Sequence, residues 1–272
     1  MPMTRRGKIL GVAAGGIAAT LALRGLLNAQ RTGSTTYPPT DTLKPIADNL
    51  WIVDGGPLRP GGVELPIRMT VARLADGGLW IHSPTECTDA LVDAITSLGR
   101  LAHLVAPNIA HWTFLAEWQR RFPEAVTWAA PGLREREQVR ASGVRLDRDL
   151  GEQAPAAWLD AFDQGIITGG MGFAEAFFFH RPSRTLILVD LIQNLQAGKL
   201  PAFSRLFALL SGAEAATTPR YIRAVLRARR GNVTPQFARM LAMQPETVIF
   251  AHGDCFVDDA SAKLQRALAW LR

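Results

Sequence analysis

Residues 177–191 read FFFHRPSRTLILVDL. Two short apolar runs flank an Arg-Pro-Ser-Arg turn, and the second, residues 185–189, ends on the carboxylate of Asp190. Runs of this length bounded by turn residues read as buried strands. The pattern recurs elsewhere in the chain: His82 follows the run 79–81, Asn108 and His111 follow 102–105, and His252 follows 248–251. Further strands are predicted at 50–53, 68–74, 126–129, 165–168, 174–179 and 247–250. Helices are predicted at 89–98, 113–122, 133–141, 201–210, 221–230, 236–243 and 260–271. Strands interleaved with helices in this order imply sheets covered by helices, an α/β layered domain.

The chain has 272 residues, enough to bury a full core. Hydrophobic residues at 48% against 20% charged exclude a mainly disordered protein, and 24 Gly with 17 Pro in no fixed period exclude collagen-like classes. The net charge of +6 invites a nucleic-acid reading, but Arg5, Arg6, Lys8, Arg24 and Arg31 stand in residues 1–31 without one acidic residue. The remainder is nearly neutral. A nucleic-acid partner needs its cations on the folded surface, so that class is set aside.

After Arg5, Arg6 and Lys8, residues 9–27 carry only Thr20 and Arg24 as polar side chains, a span close to the roughly 20 residues that cross a bilayer as a helix. A cleaved signal peptide is the rival, but a cut after Ala29 would put Leu27 where a small residue is wanted. Residues 1–30 are therefore expected to form an N-terminal hydrophobic helix that anchors the protein. By the positive-inside rule the domain then lies on the extracytoplasmic side, or is exported. Residues 31–47, rich in Thr, Pro and Ser, read as a linker, and the folded body is expected over 48–272.

In α/β sheets the carboxyl ends of strands open onto the ligand crevice, so the polar groups at those ends are expected to converge. Imidazoles and a carboxylate gathered there are ligands for a divalent metal such as zinc, with iron or manganese as alternatives. His103 and His180 lack a second signal and read as structural. Trp112, Trp118 and Trp128 read as core. No G-x-S-x-G elbow, P-loop or dinucleotide fingerprint is present, and GGPLRPGG at 55–62 reads as a turn.

The runs RMTVARLADGGLWIHSP (68–84), HLVAPNIAH (103–111), EWQRRFPEAVTWAAPGL (117–133), FFFHRPSRTLILVDL and VIFAHGD (248–254) occur in an order that resembles the metallo-β-lactamase superfamily, and within it an uncharacterised branch catalogued as a domain of unknown function. The resemblance covers roughly residues 48–272 and implies an αββα four-layer sandwich. It also exposes a departure. Where catalytic members carry H-x-H-x-D-H, this chain has Ala106-Pro107-Asn108-Ile109-Ala110-His111, and the next histidine of the pattern would fall near Met171, where none exists.

Carried over residue by residue, His111, Asp190 and His252 remain as implied metal ligands. Asn108 stands in place of a histidine, and His82 stands where the superfamily ends that strand on an aspartate. Two outcomes are open from the sequence. Asp190, with Asn108 and His82 assisting, serves a one-metal hydrolase acting on a small molecule; or the pocket is metal-free and the protein is a binding or scaffold module. Glu175, on a strand, reads more readily as a surface or structural salt bridge than as a base. Cys87 and Cys255 fall on loops that the implied fold brings to one rim, where a disulfide or two free thiols are the alternatives. Residues 200–230 form an insert with Arg220, Arg223, Arg227 and Arg230 at helical spacing. A solvated face, a lid over the pocket and a surface resting on anionic lipid are its readings.

Overall fold

Alternating apolar residues build two facing sheets in a computed structural model that describes residues 34–271. The first sheet holds β1 (Lys44–Ala47), β2 (Leu50–Leu58), β3 (Leu65–Arg73), β4 (Gly78–His82), β5 (Arg100–Ala106), β6 (Val126–Ala129) and β7 (Arg148–Asp149) in sequence order. β1 to β4 pair antiparallel and β4 to β7 parallel. Helices α1 (Asp89–Leu98), α2 (Leu115–Arg121) and α3 (Glu137–Ser142) lie among its parallel connections. The second sheet runs β11-β10-β9-β8, from β8 (Phe162–Thr168), β9 (Ala174–His180), β10 (Thr185–Ile187) and β11 (Thr247–Ile249). Between β10 and β11 stand α4 (Ala202–Ser211), α5 (Arg220–Arg227) and α6 (Arg230–Ala242), and α7 (Ala260–Leu268) follows.

Three apolar clusters define the layers. Leu50, Trp80 and Val105 of the first sheet meet Phe162, Phe178 and Ile249 of the second. Outside the first sheet, Val71, Ile81 and Leu104 pack on Leu91, Ile95 and Trp118 of α1 and α2. Outside the second, Phe177, Leu186 and Val248 pack on Leu226, Phe237 and Leu264 of α5, α6 and α7. Helix, sheet, sheet, helix is the order expected from burying both faces of each sheet. α1 shows the local logic: the Thr88 hydroxyl accepts from the Leu91 amide at its start, and at Gly99 a side-chain carbon would lie 2.5 Å from the Gly77 carbonyl oxygen.

The folded part starts earlier than residue 48. β1 pairs with β2 inside the stretch read as a linker, Lys44 Nζ lies 2.8 Å from Asp54 Oδ2, and Thr35 and Thr36 are buried. A four-residue edge strand containing Pro45 is too short to show a period, and its partner rather than its composition orders it. α6 starts at Arg230, six residues before the helix expected from 236, and runs through Pro235; burial of Val233, Phe237 and Met240 outweighs the lost backbone bond. Three of the four arginines of the insert's stripe are engaged by protein groups. Arg220 donates to the Leu209 and Leu210 carbonyls, Arg223 to Thr218 O and Thr217 Oγ1, and Arg227 lies over the Trp270 ring. The expected N-terminal hydrophobic helix, residues 1–30, lies outside the described residues. Among those described, no helix is long and apolar enough to cross a membrane.

Candidate metal centre

β10 and β11 run parallel with Ile187 opposite Ile249, and the chain continues three residues beyond each before reaching Asp190 and His252. The register therefore delivers these two side chains to one sheet end. His111 arrives from the other sheet, on the loop after β5. Asn108 shapes that loop: its Oδ1 accepts from the Ala110 and His111 amides at 2.8 and 2.9 Å. Its Nδ2 donates to Asp190 Oδ2 at 2.6 Å, so one amide ties the loop to the carboxylate. At the base of the His252 loop, Gly253 has φ 107°, and a side-chain carbon there would overlap the Asn194 carbonyl.

His111 Nε2 lies 3.3 Å from Asp190 Oδ2, and His252 Nε2 lies 3.0 Å from Asp190 Oδ1. One ligand atom from each of the three residues falls within 4.8 Å of the others. The opposite ring nitrogens are committed. His252 Nδ1 meets the Pro66 carbonyl at 2.6 Å, which only accepts, so Nδ1 carries the proton. Ser83 Oγ donates to the Arg68 carbonyl at 3.2 Å and accepts from His111 Nδ1 at 2.7 Å. Both neutral imidazoles then turn Nε2 lone pairs toward a carboxylate, an arrangement that needs added protons or a cation between the donors. Imidazoles oriented through Nδ1 by an oxygen are the usual support of metal ligands. The donor set fits one divalent ion.

The electrostatics couple the same three groups. Burial works against charge at Asp190, yet the His111 and His252 rings outweigh it and hold the carboxyl well below its usual range. Burial likewise opposes charge on His252, but Asp190 and the Pro66 carbonyl raise its pKa. Glu175, fully buried, is not a surface salt bridge. Its carboxyl accepts from the amides of Val189, Asp190 and Leu191 at 2.9 to 3.3 Å and so holds the backbone that carries Asp190. Burial first, and Asp190 second, push its pKa up to about 8 against those amides.

His82 stands apart from this group. Side chains two apart on a strand share a face, so His82 follows Trp80 into the space between the sheets, stacked on it at 5.3 Å and edge-on to Phe178 at 5.4 Å. Its Nε2 has no hydrogen-bond partner among the described residues. The assisting role expected of it falls instead to Ser83, one residue on, which the strand-end rule would have reached by allowing for alternation. Asn108 keeps a role as a positioning residue. The structure also adds Tyr221, whose hydroxyl receives a hydrogen bond from Gln193 Nε2 at 3.1 Å. Sequence reading had treated it as an ordinary helix residue. Cys87 and Cys255 are free thiols, with Cys255 Sγ 3.0 Å from Arg68 Nη1 and Cys87 among the apolar residues outside the first sheet. Trp118 is core, and His103 and His180 pack away from the centre, against Trp128 and Phe162.

Burial, and secondarily His111, lower the His82 pKa from 6.5 to about 3. The unfolded chain takes up a proton below 6.5 that the fold refuses, so stability falls as pH drops from 6.5 toward 3. The slope from this one group is about 1.4 kcal/mol per pH unit. His82→Phe is expected to flatten urea unfolding midpoints across that window and to raise stability at its acid end. An unchanged pH profile would show that the imidazole does not resist protonation in the fold.

The architecture is that of the metallo-β-lactamase fold, and the comparisons with solved structures agree. DIM-1 metallo-β-lactamase exposed to ceftazidime superposes with a TM-score of 0.58 at 14% identity, covering 85% of this chain and 97% of that one. TMB-1 gives 0.57 at 14%, covering 83% and 95%. A metallo-β-lactamase from Pontibacter korlensis gives 0.53 at 14%, covering 85% and 98%. At such identities the likeness is one of fold. Among curated proteins no relative matches this chain. The family described as "Domain of unknown function (DUF4336)" matches residues 48–224, and the chain belongs to it.

Proposed function

We propose that this protein is a metallo-hydrolase-like enzyme that holds one divalent ion, with zinc the first candidate, between His111, Asp190 and His252. The observation that carries the reading is the convergence of two Nε2 atoms on one carboxylate at 3.3 and 3.0 Å, each ring engaged through its Nδ1, with ligand atoms of all three residues within 4.8 Å. When bound, such an ion supplies Lewis acidity for hydrolysis. The chain's residues supply the rest. Ser83 and the Pro66 carbonyl orient the rings, and Asn108 and Glu175 orient Asp190. Tyr221 accepts from Gln193, which leaves its own O–H free to donate. Its pKa is raised by burial and then by Asp190, so the phenol keeps its proton and acts as a hydrogen-bond donor to a substrate oxygen.

Metal analysis of the full-length protein tests this reading. About one divalent ion per chain is expected, lost in His252→Ala and in Asp190→Ala. Metal-replete protein that carries none would overturn the enzyme and leave a binding or scaffold module. As part of the same proposal, residues 1–30 tether the domain on the extracytoplasmic face, an orientation supported by the cations ahead of the apolar span. Protease added to intact cells should then digest the domain; protection until lysis would refute that orientation.

A further inference from the structure

The metal centre forms part of the wall of a cavity of about 750 Å³, within the range of about 300–1,000 Å³ typical of small-molecule sites. Most of its wall is apolar. Leu58 and Leu65 come from β2 and β3, Ile109 from the His111 loop, Phe173 from the turn before β9, and Ile222 and Val225 from α5. Among the described residues Arg59 is its only Lys or Arg lining residue, and Arg59 Nε and Nη2 already donate to Glu64 Oε2 at 3.2 and 3.1 Å. The polar lining is concentrated at the metal centre, in His111, Asp190, His252, Asn108 and Ser83.

The border of this cavity is unusually greasy. Met171 is 95% exposed and Tyr221 47%, and both line it. α4 borders it with Phe207 beside Tyr221, ring centroids 6.2 Å apart. Phe203, 58% exposed, lies 3.7 Å from where a side-chain carbon on Gly62 would sit, in the turn after Arg59 and Pro60. Leu210 of the same helix is 65% exposed. The chain joins the fold next to α4: Thr35 Oγ1 donates to the Lys199 carbonyl, and Ser204 Oγ accepts from the Glu64 amide. The apolar stretch 9–27 ends seven residues before Ser34.

We infer that the cavity takes an uncharged acyl chain, the hydrophobic part of an ester or amide amphiphile, with its carbonyl end at the metal centre. The inference names the substrate class of the proposed hydrolase and rests on that reading for the carbonyl's position. Apolar walls gain by covering methylene groups, and away from the metal centre the described lining offers a charged tail no cation except Arg59, already paired with Glu64. The bilayer is the expected source, since exposed Phe203 stands beside the Arg59–Gly62 turn at the cavity's edge and Thr35, close in sequence to the apolar stretch 9–27, bonds to Lys199 just ahead of the same helix.

Photocrosslinking of the full-length protein in nanodiscs tests this independently of metal. The probe is a neutral diazirine-bearing octanoyl methyl ester, and labelled peptides are identified by mass spectrometry. Labels are expected on residues 58–65, 109–114 and 221–225, competed by excess methyl octanoate. Val225→Glu should reduce them at least tenfold, whereas Ala224→Glu, exposed on the same helix, should not. His252→Ala should retain them. Loss of metal in that variant with labelling intact separates the two readings, and labelling of a protein that never binds metal would support the acyl site while removing the hydrolase. Labels scattered over the surface, or insensitive to Val225→Glu, would overturn the inference. A diazirine phosphatidylcholine in the nanodisc, labelling the same peptides only while Phe203 is intact, would identify the bilayer as source. Labelling by the dissolved ester alone would support the acyl site with a soluble amphiphile as its ligand.

Discussion

Replacing Arg68 by Met should cost about 3–5 kcal/mol of folding stability, the range for removing one partner of a buried charge pair, and should weaken metal binding at least tenfold. Arg68 is on β3, in the first sheet, and is 5% exposed. Its Nη1 donates to the carbonyls of Phe250 and Gly253 at 2.8 Å, on either side of His252, and its Nη2 pairs with Asp54 Oδ1 at 2.7 Å. One guanidinium thus bolts the His252 loop of the second sheet to the first. Methionine fills the volume but leaves buried carbonyls without a donor and Asp54 with Lys44 as its remaining ion-pair partner. Arg68→Lys keeps the charge but lacks the planar fork needed to reach both carbonyls and Asp54, so it should fall between the two. Urea unfolding and metal titration measure both effects. A loss under about 1 kcal/mol would mean that the clamp is not load-carrying in solution.

The second large effect is expected at Glu175. Glu175→Ala removes the acceptor for the amides of Val189, Asp190 and Leu191, all at a buried strand end. Each amide left unpaired costs about 1–3 kcal/mol, so a loss of roughly 3–5 kcal/mol or more is expected even if one of them finds water. Because that variant could fail to fold, Glu175→Gln is the informative companion. Glutamine retains one acceptor oxygen but turns an NH₂ group toward backbone N–H donors, which above about pH 8, where the wild-type carboxyl is ionised, should displace Asp190 and weaken metal binding while secondary structure is kept. Full metal affinity in Glu175→Gln would show that Asp190 is positioned without this carboxyl.

Much of the architecture was legible in the chain. Helix α1 is bounded where Thr88 and Gly99 punctuate it, and the apolar runs ending on Asp190, His252 and His111 each mark a strand with a functional group at its carboxyl end. These are local signals, set by strand periodicity and by the chemistry of caps, and they survive without tertiary knowledge. Their limit shows at His82. A one-residue difference in strand phase decides whether a side chain faces the cavity or the interior, so Ser83 supports His111 while His82 is buried against Trp80.

The sequence by itself therefore determined the layered α/β plan, because strand and helix periods are written residue by residue, and the family resemblance it carries singled out the three residues able to share an ion. Only the tertiary structure decided what holds those ligands in place. Arg68, Glu175, Ser83 and the Pro66 carbonyl act across separations of 14 to 186 residues. Their roles arise from the packing of one sheet on another and of loops at their shared edge, and no local pattern encodes such contacts. The apolar cavity belongs to the same category, since its described walls come from eight separate segments, from Leu58 to His252, that meet only once the sheets have closed.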